Sequence, residues 1–215
     1  MAKLTKQQAK DHLEAEALLT KDTLNDDERE FIYRNWNEAA ATLNTTIGAH
    51  FTPVELALDF AIDAWGHGRV LDICAGIGVL SQAMRWRDAR EGKISELVCI
   101  EQNPEYVRIG RLLLPEARWI EADAFDLPRL GLGHFNSVVS NPPFGNSAKR
   151  SGNGPRYTGR AFELHLIDMV ADHADHGAFL IPQNSAPFEW RERRAPAPKP
   201  RKAAPAATLA QASFF

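Results

Sequence analysis

Arg69-Val70-Leu71-Asp72-Ile73-Cys74-Ala75-Gly76-Ile77-Gly78 decides the fold. The first six residues are a short apolar run, and the glycine turn after them opens a helix-like stretch from Val79 to about Trp86. Strand, glycine turn and helix make the crossover unit with which parallel sheets hold nucleotide-like ligands. Glycines suit such a turn because the backbone must come close to the ligand and adopt dihedrals that a Cβ forbids. The motif is not Gly-x-Gly-x-x-Gly, and it has no Lys-Ser/Thr to hold a triphosphate.

The pattern repeats outward from this unit. Glu96–Ile100 reads as a second strand ending at Glu101-Gln102, and Ala117–Ile120 as a third running into Glu121-Ala122-Asp123-Ala124. Phe135–Ser140 and Gly177–Pro182 are a fourth and a fifth, with helices expected over 104–113 and from about Gly159 to Ala174. Strands alternating with helices predict an α/β fold with a doubly wound, mainly parallel sheet. Asp72, Glu101 and Asp123 then stand at the tips of three successive strands. A single acid there is most simply a solvated loop carboxylate. Three in series are what one extended cofactor needs, and an acid at the second tip accepts ribose hydroxyls. Glu101 follows Asp72 by 29 residues, a long spacing that the charged Arg85–Lys93 connection explains.

The fourth strand ends in Asn141-Pro142-Pro143-Phe144. Two prolines fix the backbone and donate no N–H, so the loop keeps its shape without a ladder. The Asn141 side-chain oxygen and the Pro142 carbonyl can accept from a planar amino group while Phe144 stacks on the ring that carries it. These stretches together resemble the class I S-adenosylmethionine (SAM) amino-methyltransferases, with motif I at Asp72–Gly78 and motif IV at Asn141–Phe144. Phe51-Thr52-Pro53 resembles motif X. The same residues also spell a capping box, with Thr52 as N-cap, Pro53 at N1 and Glu55 at N3 of a helix reaching about Trp65, and both readings stand.

The resemblance implies a Rossmann-like methyltransferase domain with SAM as cofactor. Asp72, Gly76 and Gly78 would surround its methionine part, Glu101 would hold its ribose and Asp123 its adenine, with Ala75, Gln102 and Ala124 also in the cofactor site. Phe51, Thr52 and Asn141 would line the same pocket. The motif order X, I, IV is similar to that of the γ class of DNA adenine-N6 methyltransferases. Pro155–Asp168, Phe179–Gln183 and Ser185–Phe188 are similar to small phage- and plasmid-borne DNA methylases. The implied reaction is methylation of a flipped adenine in DNA, with Asn141, Pro142, Pro143 and Phe144 as the catalytic loop. RNA (adenine N6 or guanine N2) or protein-glutamine methylation fits the same loop. A third reading is a truncated module that binds SAM or nucleic acid without turnover.

The chain departs from the family in having Phe144 where Tyr is commoner, and in its end. Residues 191–215 read as a disordered Pro/Ala/Lys-rich tail after a methyltransferase domain over 49–190 and a helical segment over 1–48. The sheet would then lack its last antiparallel strands, leaving an edge for a partner protein or a second copy to complete. Over 215 residues the formal net charge is −3, weak ground against general nucleic-acid binding. Residues 146–160, however, contain Lys149, Arg150, Arg156 and Arg160 and no acid. Directly after the catalytic loop, these cations are placed to neutralise phosphates; the simpler alternative is a solvated loop. Cys74 and Cys99 read as reduced core residues, the histidines show no metal-ligand spacing, and no apolar run reaches about 18 residues. A cytoplasmic protein without a metal is expected.

Overall fold

The computed structural model describes residues 5–37, 52–64, 66–145 and 148–186, and the backbone of 207–213. Gly68–Ile73 (β1), Ile94–Glu101 (β2), Arg118–Glu121 (β3), Phe135–Ser140 (β4) and Ala174–Pro182 (β5) are parallel and lie in the order β3-β2-β1-β4-β5. The order reverses between β1 and β4, which makes the crevice above their C-terminal ends the binding position of the fold. Registers such as Ile73 with Ile100, Glu101 with Glu121, and Ser140 with Phe179 bring those ends to nearly one level.

Both faces of the sheet are covered, and side chains alternate between them. Val138, Phe179 and Ile181 pack with Leu71, Ile73, Ile100 and Leu166 on one face. Val139, Ala178 and Leu180 pack on the other with Ile32, Phe60, Leu80, Met84 and Ile109. The helices are Lys6–Leu18 (α1), Asp26–Asn35 (α2), Val54–Asp63 (α3), Val79–Glu91 (α4), Pro104–Leu113 (α5) and Phe162–Val170 (α6). Asn25 and Glu28 form the expected capping box on α2, and Thr5 with Gln8 forms another on α1.

Several boundaries differ from the sequence reading, each for a local reason. Helix α2, expected to run to about Leu43, stops at Asn35 because Trp36 turns extended. Its indole N–H donates to Glu16 and its ring meets Tyr106 edge-on at 5.9 Å. Helix α4 continues through the charged stretch expected as a connection and ends where Gly92 takes a left-handed φ. Helix α6 starts at Phe162, since the residues before it are committed to a loop described below. The tail expectation is corrected at Ala207–Ser213 (β6), which pairs antiparallel along β5 from His176–Ser213 to Pro182–Ala207. The Pro/Lys bias ends at Pro205, and the seven residues of β6 contain neither proline nor charge, so nothing prevents their pairing.

Trp119 on β3 packs against α5 at Gly110, where an added Cβ would come within 2.2 Å of the indole. The ring is buried and its N–H donates to Leu114 O at 3.1 Å, so it has no cheap way to yield. Helix propensity alone favours Gly110→Ala by about 1 kcal/mol. Overpacking costs about 1–3 kcal/mol and should win. Urea unfolding of Gly110→Ala is expected to show a lowered midpoint; a raised one would contradict this packing.

Candidate active site

The turn after β1 is conformationally demanding. Cys74 has φ 59° and Gly78, the N-cap of α4, has φ 90°. A left-handed φ at a residue with a Cβ is uncommon and tends to mark a functional turn. At Gly78 a Cβ would also press on Trp119 at 3.0 Å and lie 3.8 Å from the Tyr33 hydroxyl, so α2 reaches the turn. Glu101, buried at the tip of β2, accepts from Gly76 N at 2.9 Å and from Asn103 N at 2.8 Å. Asp123 caps the 3-10 turn Ala124–Arg129 by accepting from Phe125 N at 2.8 Å.

The acids at these tips all lie near the Cys74 thiol. Burial pushes that thiol well above its ordinary pKa, and Glu101, Asp72 and Asp123 push it further. Asp72 is fully buried behind the turn. Its Oδ2 accepts from Ser81 Oγ at 2.7 Å and Ser81 N at 3.2 Å, while its Oδ1 has no hydrogen-bond partner among the described residues. Burial raises its pKa to about 7, opposed by the two Ser81 bonds and reinforced by Glu101. Ser81 was not foreseen; its place on the first turn of α4, nine residues after Asp72, is the signal that could have found it.

On the other side of the switch point, Asn141 Nδ2 donates to Thr52 Oγ1 at 2.9 Å across 89 residues of sequence. The capping-box expectation at Thr52 is thereby corrected. Pro53 is the N-cap of α3 with no side-chain cap, and the buried Thr52 hydroxyl serves the Asn141 carboxamide instead. Glu55 pairs with Arg34 rather than with the cap. Phe51 lies outside the described residues. Ala75 and Phe144 are half-buried, Pro142 and Ala124 buried, and Gln102 exposed. Ser140 donates to Ile73 O, tying the strand below Asn141 to the strand below the glycine turn.

The basic stretch has a defined shape. Lys149 and Arg160 are exposed, and Arg150 bonds Asn153 Oδ1 at 2.9 Å and Arg160 O at 3.0 Å. Arg156 is differently employed: it bonds Asp168 Oδ1 at 2.7 Å and Asp168 O at 2.7 Å on α6, and Asp172 Oδ1 at 2.9 Å just beyond it. Its expected place among the phosphate contacts therefore becomes that of an anchor. Burial raises the Asp168 carboxyl, but the Tyr157 and Arg156 N–H groups and the guanidinium outweigh it and hold the pKa below its ordinary value. Among the described residues no group of His, Cys, Asp and Glu is arranged to hold a metal, and no helix is long and apolar enough to cross a membrane.

Residues 56–153, from α3 to the basic loop, match the family model described as the methyltransferase small domain. A candidate class I SAM-dependent methyltransferase from Listeria monocytogenes superposes with TM-score 0.51 at 15% identity, covering 84% of this chain and 68% of that one. A candidate RNA methyltransferase from Pyrococcus horikoshii gives 0.49 at 18%, covering 80% and 74%. A protein from Thermoplasma acidophilum gives 0.40 at 16% identity; the match takes in 54% of this chain and about half, 53%, of that one. No curated protein sequence matches the chain. The chain thus carries the fold of class I SAM-dependent methyltransferases.

The sign of the Asp72 shift has a measurable consequence. A carboxyl raised from 3.8 to about 7 on folding contributes stability that is full below the unfolded pKa and is lost as pH rises through about 7. Asp72→Asn removes this titration while keeping an acceptor for Ser81. Its melting temperature relative to the parent should therefore rise between pH 5 and pH 8. A difference that stays constant with pH would show that Asp72 is not held protonated by burial.

Proposed function

We propose that the chain is a SAM-dependent methyltransferase that methylates the exocyclic N6 amine of an adenine in DNA. The observation that supports this most directly is the Thr52–Asn141 bond, which fixes a carboxamide at the switch point of a sheet of this fold. Thr52 accepts from the amide nitrogen, so the amide oxygen is the end suited to accept from a substrate amine. Asp72, Ala75, Gly76, Gly78, Glu101, Gln102, Asp123 and Ala124 would hold the cofactor, and the glycine turn with the Glu101 carboxylate suits a ribose-bearing ligand. When bound, SAM supplies a methyl group on a sulfonium that departs as a neutral thioether.

The work of the protein lies on the acceptor side. The target adenine leaves its stack and rests on Phe144. Asn141 and the Pro142 carbonyl accept its amino protons, which draws the nitrogen lone pair out of ring conjugation. That pair forms the new N–C bond, and the surplus proton on nitrogen passes to water without a strong base. Most of the acceleration comes from orientation. Lys149, Arg150 and Arg160 meet the phosphates beside the flipped nucleotide. The strand β6 weighs against a sheet that needs a partner for its last edge.

Asn141→Ala tests the reading. Cofactor affinity by calorimetry should stay within about threefold, while transfer falls by about 100-fold or more, the scale of losing one preorganised polar contact to the reacting group. Duplex DNA, RNA and a glutamine peptide offered side by side identify the acceptor. Transfer to either of the last two and not to DNA would overturn the substrate assignment, and loss of cofactor binding would overturn the role of Asn141.

A further inference from the structure

Helix α6 has nine residues and carries three polar side chains, each with at least one partner in the segment from the Asn141 loop to the helix's own N-terminus. Glu163 is fully buried; its Oε2 accepts from Gly145 N at 2.8 Å, directly after Phe144, and its Oε1 accepts from Ser185 Oγ at 2.6 Å beyond β5. His165 is also buried. Its Nδ1 accepts from Gly154 N at 3.1 Å, so the proton sits on Nε2, which donates to Gly159 O at 2.9 Å. Asp168 accepts from Arg156 N at 2.6 Å and Tyr157 N at 2.7 Å. Both buried oxygens of Glu163 are thus bonded, one to the end of the Asn141 loop and the other to the chain beyond β5. Gly145 itself has φ 80°, and its N–H fixes where the rigid Pro-Pro turn ends.

We propose that Glu163 is a positioning residue for methyl transfer, setting the place of Asn141 and Phe144 through Gly145, while His165 and Asp168 set the basic loop that meets the nucleic acid. This rests on the reading of Asn141-Pro142-Pro143-Phe144 as the acceptor loop. The division of labour makes two different kinetic signatures. Moving the acceptor loop misaligns the reacting nitrogen and lowers kcat; releasing the basic loop weakens the hold on phosphates and raises the KM for nucleic acid. Gln at 163 keeps an acceptor for Gly145 N and a donor that Ser185 Oγ can accept, so it should restore what Ala removes.

The test compares the parent with Glu163→Ala, Glu163→Gln, Ser185→Ala and His165→Ala. Its readouts are kcat and KM on the best acceptor found, cofactor affinity, and amide hydrogen exchange over 141–145 and 150–160. Glu163→Ala should lose about 100-fold in kcat, the scale of a misplacement near 1 Å, with cofactor affinity nearly unchanged. Exchange should rise over 141–145, Glu163→Gln should recover most of the loss, and Ser185→Ala should show a milder form of it. His165→Ala should raise the KM for nucleic acid and exchange over 150–160, with a smaller effect on kcat. Unchanged kcat in Glu163→Ala, or equal losses in the Ala and Gln variants, would overturn the inference. If the parent methylates an acceptor other than DNA adenine, the substrate assignment fails while the same kcat and exchange pattern still supports Glu163. If the parent methylates nothing, the inference falls with the activity, and raised exchange over 141–145 in Glu163→Ala then shows only that Glu163 holds that loop.

Discussion

The site depends on parallel strands that end level with one another. Parallel pairing between β1 and β2, β2 and β3, and β1 and β4 sets the registers, and those registers put Cys74, Glu101, Asp123 and Asn141 around one crevice. The strands end there because the chain leaves each by a rigid or capped device. These are the left-handed turn at Cys74 to Gly78, the Asn103 cap of α5, the Asp123 cap of a 3-10 turn, and two prolines after Asn141. Without that level edge the acids would be separate solvated carboxylates. With it Glu101, Asp72 and Asp123 lie close enough to Cys74 to add to the raising of its thiol by burial.

Several acids and a histidine on this edge hold backbone groups. Glu101 takes the Gly76 amide, Asp123 the Phe125 amide, Glu163 the Gly145 amide, and His165 the amide and carbonyl of a loop. Such bonds satisfy donors that a turn would otherwise leave unpaired, and they fix loop height with little side-chain freedom. Asp72 is the exception in cost: its buried Oδ1 lacks a partner among the described residues, which is why burial dominates its ionisation.

The sheet was legible because its strands are short apolar runs that each end at a polar device, and α5 and β4 fall where the periodicity places them. Boundaries set by tertiary contacts were not. Trp36 leaves its helix for Glu16 and Tyr106, and Thr52 gives up a local cap for a carboxamide 89 residues away; neither partner is visible in a local window. Arg156 reads as a phosphate contact from composition alone, because Asp168 and Asp172 come to it only once α6 has folded alongside. Glu163 and His165 were passed over since, along the sequence, they are two polar positions on an otherwise apolar helix. The strand β6 was hidden by the proline-rich stretch before it.

The most direct test of the central claim is the methylated-nucleoside content of a host that lacks adenine methylation of its own. DNA and RNA from cells making the parent chain or its Asn141→Ala variant would be digested separately and measured by mass spectrometry. N6-methyladenine is expected in the DNA pool with the parent and not with the variant. Methylation confined to RNA, or DNA methylation that survives loss of the Asn141 carboxamide, would contradict it.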